Sequence, residues 1–421
     1  MIEFAVPWID RKAGMKCYCT SFSGVGGSIK RKANQFKVSE IIDGSVFGEL
    51  VPNQDKLHRY PLYILEKSNI DSNHAVSQIK KKFGIELKVV GLKDAKANTK
   101  QYATTEQIKN IQREIRTDRV YLSLCGFTQK PLRKASLLGN EFTIIIKDTV
   151  PLDISNFEQE IKNIANFYGL QRFGSERSVT HLVGKEILKR KFRNAVELLL
   201  CYTSEYDSKM SMEIREKCRD PHNYPWLLKH LPGGMDIEYQ LMLAIVKGKD
   251  AIYALRSIPI NVRRLFVQAY QAYIFNLCLS KAVMNEENLI RVKNGDLCFE
   301  TEGPLIFGKI RKFDPVCGSD SNTVPAIRLA GYSFQGGKGR FEMITQDTMK
   351  DECITARDFY IKEMQELSSQ GGFRQAPLWC MDFSFMKETA LTLSFKLPKG
   401  SYATTLLREL MKPVDPISSG F

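Results

Sequence analysis

An α+β fold is what this sequence predicts. Segments of helical and of strand periodicity mingle along the chain without strict alternation, and no internal repeat or low-complexity stretch interrupts them. A length of 421 residues then asks for more than one buried core.

The elements follow in order. Asp71, Ser72 or Asn73 can cap a helix in which Ala75, Val76, Ile79 and Phe83 recur at helical spacing, and Gly84 ends it. Residues 85–90 alternate apolar and polar side chains before Gly91, which predicts a strand delivering residues 91–101 onto a loop. Strands are predicted at 119–125 and 142–147, and a helix over 157–167 with Ile161, Ile164 and Ala165 inward. Past Gly174, residues 182–202 read as one helix. Lys185, Lys189, Arg190, Lys191 and Arg193 crowd its polar side, as a solvated face or as a wall that grips phosphates. A helix over 263–279 carries Leu265, Ala269, Ala272, Tyr273 and Asn276 at helical intervals, and 331–339 is loop. Finally Leu391, Leu393, Phe395 and Leu397 alternate as a strand, and Pro398-Lys-Gly400 turns into a helix starting near Ser401.

Composition narrows the function. With 61 Lys and Arg against 47 Asp and Glu the net charge is +14 on ordinary globular proportions, which points to a polyanionic partner, nucleic acid first. A membrane reading fails because the longest apolar stretches, such as 195–201, fall far short of the ~18–20 residues of a span. The first residues hold no apolar run of signal-peptide type, so a cytoplasmic protein is expected. Ten scattered cysteines include one C-x-C (Cys17, Cys19) and no C-x-x-C, and the five histidines form no i, i+3 or i, i+4 pair. Reduced thiols and no metal site are therefore expected.

Two glycine clusters fail as phosphate loops. Residues 24–30 place Ile29 where a third glycine belongs, and Gly337 stands at the lysine position of a triphosphatase loop. The loop around Asp94 differs in kind. An acid sits among Lys93, Lys96 and Lys100, with Ala97, Asn98, Thr99 and Gln101 beside it, and nearby cations keep a carboxylate ionised. Such a group attacks or accepts a proton, or else it merely caps a turn or pairs with a lysine. Residues 88–134 hold eleven basic and four acidic residues, half of the excess charge, around this acid. A second cluster, residues 166–174, sets three aromatics among amides, Arg172 and glycines. It is composed to stack unpaired bases and read their edges, or to plug a core.

Five ordered motifs carry a resemblance: Phe36-Lys-Val-Ser-Glu40; Gly91-Leu-Lys-Asp94-Ala-Lys-Ala-Asn-Thr-Lys-Gln101; Leu132-Arg133 with Leu138-Gly-Asn-Glu-Phe142; Asn166 to Gly174; and 397–410, Leu-Pro-Lys-Gly-Ser-Tyr-Ala-Thr-Thr onward. Together they span nearly the whole chain, which resembles the TruD family of tRNA pseudouridine synthases, more closely its archaeal-type and eukaryotic members than the shorter bacterial ones. The resemblance implies a pseudouridine-synthase catalytic domain with a mixed, mainly antiparallel sheet, split into 1–177 and 376–421 around an inserted α/β TRUD domain at 178–375. It implies isomerisation of uridine, most characteristically at position 13 of tRNA, with neither cofactor nor metal, and it leaves the oligomeric state open. Asp94 occupies the position of the catalytic aspartate, whether that group attacks the sugar, adds to the base or takes the 2′ proton. Phe36, Asn166 and Tyr402 fall where the family contacts the target nucleotide, and Lys30 where it places a cation near the aspartate. Tyr402 stands in place of a bacterial Phe and Tyr168 is a permitted aromatic exchange, so stacking survives both. A non-catalytic RNA chaperone or scaffold of the same fold is the alternative. An RNA methyltransferase would need a glycine-rich loop after a strand for its cofactor, and both glycine clusters fail that test.

Overall fold

A computed structural model of the chain describes residues 5–421 apart from 47, 92, 94–95, 108–110, 304 and 317–321. Among the described residues the strands are β1 (Phe36–Ile42), β2 (Tyr60–Ser68), β3 (Lys88–Val89), β4 (Asn98–Thr104), β5 (Glu114–Arg116), β6 (Val120–Thr128), β7 (Leu137–Ile146), β8 (Leu297–Gly303), β9 (Ile306–Lys312), β10 (Thr323–Leu329), β11 (Gly372–Gln375), β12 (Met381–Lys387) and β13 (Leu391–Pro398). Nine of them form one sheet in the order β12-β13-β7-β1-β4-β2-β6-β5, with β3 paired to β4. That sheet is mixed and mainly antiparallel: β1 and β4 run parallel, with Lys37 opposite Asn98, and the other pairs run antiparallel. β8 to β11 make a separate four-stranded antiparallel sheet.

The large sheet draws its strands from 36–146 and 381–398, and the residues between supply helices and then the small sheet. Alternation explains the main face. Phe36, Val38, Phe142, Ile144, Leu393 and Phe395 point to one side and bury against the Ala403–Met411 helix, whose Leu406, Leu407 and Leu410 are fully covered. The Ser72–Phe83 helix, capped by Asp71 and closed by a left-handed Gly84, covers Tyr63, Leu65 and Leu122. A third core is helical and is built along the 25-residue Ile260–Met284 helix. Gly184 lets the Thr180–Leu188 helix lie directly against it, since a Cβ there would sit 2.0 Å from the Phe266 carbonyl oxygen. Buried Arg408, bonded to Asp10 at 2.6 Å and to Glu409 at 3.0 Å, ties the beginning of the chain to its end. No helix among the described residues is long and apolar enough to cross a membrane.

Several elements differ from expectation. The helix expected over 182–202 is two, Thr180–Leu188 and Phe192–Cys201, broken where Arg190 adopts a φ of 58°. Arg190 turns inward there to donate to the carbonyls of Asp358 and Tyr360, and Lys185 pairs with Glu352 at 2.6 Å, so these two cations serve the fold. The helix expected over 157–167 spans only Ser155–Glu160 before a single turn at Ile161–Asn163. Residues 164–166 instead run extended beside 376–378, through Asn166 N–H to Ala376 O and Leu378 N–H to Ile164 O. The expected strand at 85–90 is two residues long, and the loop after it ends at Ala97, where β4 begins. Leu265, one of the five residues that recur at helical intervals over 263–279, is exposed.

Candidate active site

Phe36 opens β1 after a short turn at Ala33–Gln35, and its ring meets Phe142 edge-on at 6.3 Å. Phe142 in turn stacks on Phe395 at 5.3 Å, so an aromatic ladder runs across β1, β7 and β13 and fixes the Phe36 ring. Lys30, at a φ of 57°, carries its ammonium 4.8 Å from the centre of that ring. The third inward residue of Phe36-x-Val-x-Glu, Glu40, has a fully buried side chain that accepts Tyr102 N–H at 2.9 Å and lies 3.2 Å from Lys93 Nζ.

Lys93 is thereby committed. Its ammonium also donates to Asn140 Oδ1 at 2.8 Å, and its backbone N–H donates to Ser72 Oγ at 2.9 Å. Ser72 donates to Gln101 Oε1 at 2.7 Å, and Gln101 returns a hydrogen bond to Gly91 O. Gly91, Lys93 and Gln101 of the second motif are thus tied to one another through Ser72, the first residue of the Ser72–Phe83 helix. Gly91 belongs in that motif because a Cβ would stand 2.6 Å from Glu40 Oε1. Asp94 itself lies outside the described residues.

A cavity of about 220 Å³ opens between this face of the sheet and the start of the Ala403–Met411 helix. Phe36 and Val38 of β1, Lys93, Ala97 and Thr99 around the loop, and Tyr402 with Ser401 and Thr404 line it, together with Lys30, Asn140, Phe142 and Gln171. All five motifs have members in or behind this wall. Two hydroxyls of these lining residues, Thr99 Oγ1 and Ser401 Oγ, are buried with no partner among the described residues, which is costly. Lys30 also borders an adjoining concavity of about 670 Å³ with Arg31, Lys32 and Lys96, and no described acidic residue lines it. The basic surplus of 88–134 divides: Lys96 faces this entrance, whereas Lys100, Arg116 and Arg119 line a different groove over β1, β4 and β6.

Tyr402, expected at the target nucleotide, meets Tyr168 edge-on at 5.9 Å. Gly169 permits the approach of that segment, because a Cβ would lie 2.7 Å from Thr404 Oγ1. Tyr168 is buried behind Tyr402 and is absent from the cavity wall. Asn166 is not brought to the cavity either. It is fully buried, and its carbonyl and Oδ1 accept from Arg374 at 3.1 and 2.9 Å. Arg374 donates as well to Gly400 O at 2.7 Å and lies over the Tyr168 ring at 4.0 Å. Burial presses the Arg374 guanidinium below its ordinary range. It clasps the 166–174 motif to the turn before Tyr402, a role the sequence reading missed. Asn140 and Ser401 belong to the third and fifth motifs, whereas Arg374 belongs to none of the five.

The family model described as tRNA pseudouridine synthase D (TruD) matches residues 12–410. A Pyrobaculum neutrophilum protein named "Probable tRNA pseudouridine synthase D" is 30% identical over 439 residues, covering 100% of both chains. A Methanosarcina acetivorans protein of the same name is 30% identical over 454 residues, covering 99% of each. Among solved structures, one from Methanosarcina mazei named for tRNA pseudouridine synthase D (TruD) superposes with a TM-score of 0.79 at 26% identity, covering 98% of this chain and 100% of that one.

Proposed function

The chain belongs to the tRNA pseudouridine synthase D (TruD) family, and on that premise we propose that it isomerises uridine to pseudouridine in tRNA, at position 13, with Asp94 as the reacting carboxylate. The observation that carries this reading is the cavity at which Phe36, Tyr402, Lys30 and, from the motif that holds Asp94, Lys93 and Ala97 converge. The C1′–N1 bond breaks, uracil turns, C1′ bonds to C5, and the C5 proton leaves while N1 regains one. That sequence calls for a carboxylate at the target nucleoside, whether it acts on the sugar, on the base or on the 2′ proton, and for a base held out of its stack. Phe36 and Tyr402 offer the extruded base aromatic contact worth ~1–3 kcal/mol per stack. Lys30 and the basic concavity beside it suit the flanking phosphates. In this reading residues 1–177 and 376–421 form the catalytic domain of a cytoplasmic enzyme, and 178–375 are inserted into it.

The test uses tRNA transcripts carrying tritium at uracil C5. Wild type should release label to water from tRNA, and Asp94→Asn should release none above background. Label released equally by both proteins removes Asp94 from the mechanism. No release by wild type from any tRNA leaves an RNA-binding scaffold as the better account.

A further inference from the structure

A second concavity, of about 560 Å³, opens between the end of the Thr180–Leu188 helix and residues 357–363, and it shares no lining residue with the cavity at Phe36. Tyr332 and Tyr360 stand in its wall edge to face, ring centres 6.3 Å apart, each nearly half exposed. Lys189, Arg357 and Lys362 complete the rim, and no ion pair engages any of the three among the described residues. The two acids in the wall are occupied. Asp358 accepts from the backbone and hydroxyl of Thr355 at 2.7 Å each, and Glu363 lies 3.6 Å from Arg190.

The tyrosines are held rather than loose. Arg190 donates to the carbonyls of Asp358 at 2.7 Å and Tyr360 at 2.6 Å, and it adopts a left-handed backbone to do so. Tyr332 N–H donates to Ser369 O, and its neighbour Gly331 touches the 370–371 backbone so closely that a Cβ would lie 2.3 Å from Gln370 O. Backbone held at both positions sets where the two rings stand, so less backbone freedom is lost when a ligand docks. The 331–339 loop and Lys189, one of the cations read from the sequence as a solvated face or a phosphate-gripping wall, are brought together here by the fold.

Exposed rings alone fit many partners, and cations alone fit any anion. Fixed rings inside a cationic rim fit a nucleotide, whose base has a π-face and whose phosphate is anionic. A paired base has both faces buried in its own stack, so the occupant is unpaired. We propose that this surface is a subsite for an unpaired nucleotide of the RNA substrate, separate from the reacting uridine, with its base against Tyr332 and Tyr360 and its phosphate held by Lys189, Arg357 and Lys362. The inference rests on the RNA-modifying function above and extends it to how the body of the substrate is gripped.

Dissociation constants for full-length tRNA and tritium release at saturating tRNA, measured on the full chain, decide it. Tyr332→Ala and Tyr360→Ala should each weaken tRNA binding by about 5- to 150-fold, the range of one lost base stack, with kcat within about twofold of wild type. Tyr332→Phe and Tyr360→Phe keep the rings and should bind as wild type, which separates stacking from misfolding. Lys362→Ala should reduce the slope of log affinity against log salt by about one. Wild-type affinity in both alanine variants overturns the proposal, as does a loss confined to kcat. Binding is read without turnover, so failure of the isomerase reading appears in the tritium assay and failure of this one in the affinities.

Discussion

Replacing Arg374 with methionine should destabilise the protein and slow it together. The side chain is buried, and its guanidinium makes three hydrogen bonds of 2.7 to 3.1 Å, to Gly400 O, Asn166 Oδ1 and Asn166 O. Methionine fills much of the volume but leaves those acceptors without their donor, at about 1–3 kcal/mol for each buried group left unsatisfied. The contact with the Tyr168 ring, at 4.0 Å, adds up to about 2 kcal/mol when desolvated. Against this, the variant no longer buries a charge, and that recovered cost brings the net down to about 3 kcal/mol. For a folding unit of 150–250 residues this corresponds to a fall in Tm of about 6–12 °C. Arg374→Lys retains the charge but cannot reach Asn166 and Gly400 with one ammonium, so it should recover less than half of the loss. Calorimetric melts give the stability, and tritium release at saturating tRNA gives kcat, which should fall at temperatures where the variant is still folded because the turn before Tyr402 has lost its anchor. A methionine variant melting within 2 °C of wild type refutes the clasp, and so does a lysine variant with wild-type Tm and kcat.

Three further outcomes follow from the same structure. Burial, with the like charges of Lys12 and Lys185, lowers the His181 imidazole to about 3; the unfolded chain binds that proton from about pH 6.5 downward, so stability should fall between pH 6.5 and 3, by about 2 kcal/mol at pH 5. His181→Phe, which keeps a ring against Tyr273 and Phe173, should lose that much less than wild type on going from pH 7 to 5, and equal losses in denaturant titrations would sink the assignment. Gly184→Ala should cost about 3 kcal/mol or prevent folding, because the colliding Phe266 oxygen is backbone, while Gly233→Ala, with open space around it, should melt as wild type. Tyr402→Ala should reduce kcat more than it raises the dissociation constant for tRNA, since its contact forms with the flipped base, and Tyr402→Phe should retain most activity; equal losses in rate and affinity would place Tyr402 elsewhere.

Much of the site was legible because its motifs are local. The cap at Asp71, the alternation of β13 and the turn at 398–400 all depend on residues a few positions apart. What was not legible depends on partners far along the chain. The break at Arg190 is decided by carbonyls 168 and 170 residues away, and the end of the helix at Glu160 by pairing with 376–378. Asn166 shows the limit of composition. An amide among aromatics has the same character whether it faces a base or a buried arginine, and the fold gives it the arginine. Lys93 sits beside Asp94 in sequence, yet its ammonium is engaged by Glu40 and Asn140, partners 53 and 47 positions away that no local pattern announces.

The parallel pairing of β1 with β4 explains why a mainly antiparallel sheet can present this chemistry. Parallel strands start at the same edge, so Phe36, the first residue of β1, and Ala97 and Asn98, which lead into β4, meet there. Antiparallel pairing would send the loop carrying the proposed carboxylate to the far end of β1, away from the aromatic ladder. Register matters equally: Val38 lies opposite Thr99, so a slip of one residue would turn Thr99 and its buried hydroxyl to the other face of the sheet. Lys93 bound to Glu40, and Gln101 bound to Ser72 and Gly91, are what resist that slip, since each ties the loop to a residue of fixed register. Glu40 and Gln101, motif residues that never reach the cavity, therefore act through geometry, by setting which face of β4 its neighbours on β1 encounter.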